Sequence, residues 1–157
     1  MNIEEKRYFK SRLLSAFLLL LSLGGSVFSL VTIIMNNPDN IILMYIALIL
    51  CMSFNVFEIV FILKRYKKES SLQSIAFNEN GTINNVPLIA VSVGTVLAVG
   101  LLTLSLVVYF VREEISIKCD MMIILSIASY LFANCLVYYF YLLFFKKREI
   151  NLRDFIK

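Results

Sequence analysis

Apolar residues gather along this chain into four long blocks, at about 13–35, 41–63, 86–111 and 121–145, with short polar stretches between them. Each block supplies the roughly 20 apolar residues that an α-helix needs to cross a hydrocarbon core of about 30 Å. Lipid cannot hydrogen-bond an exposed backbone, so a block of this length satisfies its amides internally, as a helix. The stretch "NNPDN" at 36–40 is too short to let the first two helices part, and Pro with Asn and Asp favours a tight turn. The pattern predicts an all-α integral membrane protein. Its four transmembrane helices form an antiparallel bundle of two helical hairpins, folded as a single domain over 1–157.

Finer spacing suggests which faces meet. Ser15, Ser22 and Ser29 recur every seven residues in the first block, with Gly25 beside them. Small residues let helix backbones approach closely, and their hydroxyls can bond across the contact. Ala90, Gly94 and Ala98 give small-x-x-x-small spacing in the third block. These seven residues are the expected helix-packing positions, within the chain or between copies. Asn85 reads as the cap of the third helix, with Pro87 in its first turn, where a missing N–H costs nothing. Between the second and third blocks, "SSLQSIAF" suggests a short interfacial helix and "NENGTINN" a turn-rich linker. The tail "INLRDFIK" places Leu152, Phe155 and Ile156 on one helical face, suited to a membrane surface or a partner.

Charge then orients the bundle. Of 15 basic residues, all but Arg112 and Lys118 fall before the first block, in the 64–85 segment or in the 146–157 tail. The positive-inside rule places those three regions in the cytoplasm, giving a multi-pass protein of the plasma or inner membrane with both termini inside. Lys64, Arg65, Lys67 and Lys68, with Lys146, Lys147 and Arg148, are the expected topology signals and lipid-headgroup anchors. The same asymmetry explains the net charge of +4 without nucleic acid. The basic flank of the first block resembles a signal peptide, but the apolar stretch is too long and no small-x-small cleavage site follows, so it reads as a retained helix.

Residue types narrow the chemistry. The chain has no His and only three Cys, none in a C-x-x-C pair. Imidazole-ligated haem, the usual zinc sites, a Ser-His-Asp triad and thiol-redox catalysis all lack their residues, so neither cofactor nor metal is expected. Of the acids, only Glu58 lies inside an apolar block. Spacing of three and four residues joins it to Cys51, Asn55 and Arg65 on one stripe, which should face the bundle because unpartnered polar groups are costly in lipid. Glu58 precedes Lys64 by six residues, about 9 Å along a helix axis. Levelled on the basic ends, the hydroxyls of Ser92, Thr95, Tyr138 and Tyr141 are its expected partners. Two states compete for such a carboxyl: neutral within the bundle, or an anion reached by water or Arg12. Asn134 holds a place in the fourth helix like that of Asn55 in the second.

Two functions fit. One is a non-enzymatic membrane subunit, accessory or immunity- or regulator-type protein acting through assembly, with a protein partner or by self-association. The other is a small transporter or oligomeric channel whose path runs along Asn55 and Glu58.

Overall fold

In a computed structural model the chain forms four helices: α1 (Ile3–Asn36), α2 (Ile41–Arg65), α3 (Asn85–Val111) and α4 (Ile115–Phe155). Backbone is described for residues 3–36, 38, 41–65 and 83–155, and side chains for 9–36, 38, 41–62 and 83–143. The short helix expected in "SSLQSIAF", residues 78–82 of the linker after it, Lys67 and Lys68 lie outside the described residues, as do the side chains of Lys64, Arg65, Lys146, Lys147, Arg148 and the tail.

All four helices contain a span long and apolar enough to cross a membrane: Phe9–Asn36, Ile41–Ile62, Asn85–Val111 and Ile115–Leu143. Two helices run well past the apolar blocks. α1 has 34 residues and begins about ten positions before its block; α4 has 41 and continues to Phe155. At 1.5 Å per residue α4 is about 60 Å long, twice the hydrocarbon thickness. Apolar blocks mark what is suited to lipid, whereas a backbone stays helical for as long as its side chains permit. Lys, Arg, Glu and Ile permit it readily. The "REEISIKCD" stretch is therefore mostly helix, and the connection between α3 and α4 shrinks to 112–114.

The cap of α3 sits one residue earlier than the sequence suggests. Asn84 Oδ1 accepts from the Val86 amide at 3.2 Å, and Asn85 is the first helical residue. At the other end Arg112 N–H donates to Val108 O at 2.9 Å. Lys118 Nζ lies 5.7 Å from the centre of the Tyr109 ring, a cation–π contact that ties the start of α4 to the end of α3.

The helices do not share one central axis. α4 packs against all three others, α1 packs against α2 and α4, and α3 packs against α4 without comparable contact to α1 or α2. The molecule is thus a three-helix core of α1, α2 and α4, with α3 laid on the outer flank of α4. Two helical hairpins are present as expected, but the four helices do not close around a common core.

That core is layered. Near the two short connections, Ile33, Met44, Leu48 and Cys119 form an apolar plug, flanked by Leu30, Ile41, Tyr45 and Ile123. Tyr138, Tyr141 and Leu142 pack with Ile83, Leu88 and Val91 toward the opposite, basic end. Between these lies a polar layer.

Candidate functional site

The polar layer begins with a hydroxyl pair. Ser26 Oγ on α1 and Ser126 Oγ on α4 are 2.6 Å apart, both fully buried. Cys51 on α2 completes the node: Ser126 Oγ donates toward its Sγ at 3.5 Å, and Sγ lies 3.8 Å from Ser126 O. Half a turn to a turn along, Ser29 Oγ lies 3.0 Å from both Gly25 O of its own helix and Met122 O of α4. A short serine can reach a neighbour's main-chain carbonyl only where the two backbones are close. Gly25 supplies that closeness, since a Cβ there would already touch Ser129 Oγ at 3.6 Å.

One turn toward the basic end stands Asn55, with no exposed surface. Its Nδ2 donates to Cys51 O at 3.0 Å in its own helix, which leaves Oδ1 buried without a partner. Ser22, also buried, sits one turn from Ser26 in the same direction, and its Oγ is likewise unpartnered. Glu58 follows one turn beyond Asn55. Its Oε1 accepts from Tyr130 Oη at 2.7 Å, while Oε2 is buried and unpartnered.

Tyr130 is therefore the partner of Glu58, in place of the four hydroxyls that the sequence suggested. Ser92 Oγ instead donates to Leu88 O at 2.8 Å and pairs with Tyr139 Oη at 3.0 Å. Thr95 Oγ1 donates to Val91 O at 2.7 Å. Both lie on α3, which does not pack on α2. Tyr138 and Tyr141 are buried near the basic end, in the aromatic cluster described above. The cause is register. Hydrogen bonds pair α2 and α4 at sequence offsets of 75 (Cys51 with Ser126) and 72 (Glu58 with Tyr130). The two helices thus align at their first turns, not at their basic clusters. Arg65 falls beside a point some seven residues short of Lys146, about 10 Å along the axis.

The other sequence-selected positions divide. Asn134 donates Nδ2 to Tyr130 O at 3.1 Å and, like Asn55, bonds along its own helix. Ser15, Ser22 and Ser29 are buried in α1. Gly94 faces Cys135, whose Sγ lies 3.4 Å from where a Cβ would sit, and Ala98 is fully buried. Ala90 is exposed. Two successive steps of four residues rotate a helical position by about 80°, which carries Ala90 off the face that Gly94, Ala98 and Ser105 present to α4. Missing from the sequence reading were Ser26, Ser126 and Tyr130. A signal for the last two existed: Ser126, Tyr130 and Asn134 recur every four residues.

The site thus joins one carboxylate, one phenol, one amide and several small hydroxyls within three helices. Such a set can hold helices together, and can hold a proton or a polar guest. Family models, curated proteins and solved structures were each compared with the chain, and none matches it.

Proposed function

We propose that this is a non-enzymatic membrane protein that acts through assembly, as a membrane subunit, accessory or immunity- or regulator-type component of a larger complex. It lies in a plasma or inner membrane with both termini and the 64–85 segment in the cytoplasm, where most of its basic residues belong. The observation that carries this reading is the position of α3. Only 11% of its most apolar window is buried, against 28% for α1 and α4. Val93, Val96, Gly100, Thr103 and Val107 follow one another at alternating steps of three and four on its open side, and nothing lies within 4 Å of a Cβ built on Gly100. A valine-lined face with Gly100 and Thr103 at its middle suits close approach by another transmembrane helix at that point. Cross-linking in native membranes, followed by mild detergent extraction, tests the idea. The chain should carry a discrete partner, or a second copy, that Gly100→Leu loses while the fold persists. A lone monomer in native membranes, indifferent to Gly100→Leu, removes the reading.

A second reading, transport, draws on a separate observation, the Asn55–Glu58–Tyr130 layer inside the three-helix core. Liposome flux abolished by Glu58→Gln with the fold intact supports it. Flux that is unchanged takes Glu58 out of any mechanism.

A further inference from the structure

The polar layer has a donor deficit. Asn55 Oδ1 and Glu58 Oε2 are both buried, both acceptors and both unpartnered; the hydroxyl of Ser22 is the neighbouring unpartnered group that can donate. One O–H cannot serve two acceptors on different side chains. The pairing of Ser26 with Cys51 sets Ser22 level with Asn55, a turn away from Glu58, so the acceptor left short is Glu58 Oε2. A buried acceptor without a donor is expensive, and more so in a core flanked by lipid.

Residues three apart on a helix are neighbours, and Asn55 and Glu58 are three apart. We propose that Glu58 is a proton-binding site of the core, with Oε2–H donating to Asn55 Oδ1 while Oε1 accepts from Tyr130. Oε2 then becomes a donor and Oδ1 its acceptor. The two orphan acceptors of the layer are then paired with each other, with no added group. The apolar plug of Ile33, Met44, Leu48 and Cys119 closes the layer on one side, so the proton exchanges toward the basic end.

Other titratable and charged groups stand apart from this centre. On α4 the facing group is Tyr130 itself, and the charges of its described side chains, Lys118 and Asp120, lie at the far end beside the plug. Among the described side chains of α1 the charges are Lys10 and Arg12 at the basic end; Arg12 is seven residues, about 10 Å, from Leu19, the residue level with Glu58. On α2 itself, Cys51 is two turns away in the node and Arg65 two turns away at the helix end. α3 does not pack on α2. The inference holds whether the protein assembles or transports.

Infrared spectroscopy of the full chain in lipid, with its glutamates carrying isotope-labelled carboxyls, provides the test. At neutral pH a carboxylic acid C=O band should be present and absent from Glu58→Gln. In Tyr130→Phe the band should move to higher frequency, because Oε1 loses its donor. In Asn55→Leu the acid form loses its acceptor, so the band should vanish at a lower pH than in the unaltered chain. Should Glu58→Gln fail to fold, the labelled chain and Asn55→Leu give the same answer without it. A carboxylate signal with no acid band at neutral pH overturns the proposal and assigns the orphan acceptors to water or a metal cation.

Discussion

Ser126 touches two other helices through one side chain, meeting Ser26 of α1 and Cys51 of α2. Replacing it by Ala removes both contacts and leaves the Ser26 hydroxyl with Ser22 O, 3.3 Å away in its own helix. Interhelical bonds of this kind are worth about 0.6–2 kcal/mol in a membrane. Ser126→Ala should therefore lower stability by about that amount in a reversible detergent unfolding titration. Thr103→Ala should change it little, because Thr103 is exposed and bonds only Val99 O of its own helix among the described residues. The two glycines of α3 make a second contrast. Gly94→Leu must displace Cys135 and lift α3 from α4, costing about 1–3 kcal/mol as overpacking does. Gly100→Leu meets open space and should leave the stability of the isolated chain nearly unchanged, although it is the substitution expected to disturb assembly. At this scale the sequence was partly readable. The serines of α1 stand out because seven-residue spacing returns to the same face. Ser126 and Tyr130 do not, because α4 is rich in hydroxyls and amides on several faces. Only its register against α2 selects among them.

Register is a property of helices, and here the sequence was weakest. The existence of four helices follows from block length alone, since lipid forbids anything else. The ends do not follow, because charged residues such as Lys6 and Lys118 lie beyond the apolar blocks without breaking the helix. The levels do not follow either. Basic clusters mark a membrane surface only loosely, as long Lys and Arg side chains reach it from a range of depths. The packing of Met44 and Leu48 with Cys119 in the plug holds the first turns of α2 and α4 side by side instead. Paired cysteines test the result. In a background without the native Cys residues, Ser26→Cys with Ser126→Cys should form an intramolecular disulfide on mild oxidation, since the native oxygens are 2.6 Å apart. Glu58→Cys with Ser92→Cys should not, because α2 and α3 do not pack together. Cross-linking of the second pair with none of the first would mean that α3, not α1, lines the polar layer.

Across the whole molecule, an apolar plug, a polar layer and an aromatic cluster succeed one another between the short connections and the basic end. This order matters because it makes the two ends of the core unequal, so orientation in the membrane decides which compartment the polar layer faces. The number of helices gives no preference; the distribution of Lys and Arg does. Both short connections, 37–40 and 112–114, lie at the plug end, and α2 ends with Lys64 and Arg65 at the other. Single-cysteine labelling in intact cells, with a membrane-impermeant thiol reagent and the native Cys residues replaced, reads this directly. Glu113 and Glu114 are exposed in the α3–α4 connection, so Glu113→Cys and Glu114→Cys should react from outside. Lys67→Cys and Lys147→Cys should react only after the membrane is opened. The reverse pattern would turn the protein over, placing the basic end and the exchange route of Glu58 on the outside. Labelling of Lys67→Cys and Lys147→Cys from opposite sides would break the four-span topology itself. The first outcome leaves the packing of α1, α2 and α4 as described and changes only the compartment that it serves. The second cannot coexist with the parallel run of α2 and α4 that the Cys51–Ser126 and Glu58–Tyr130 pairs together define, because parallel spans end on the same side.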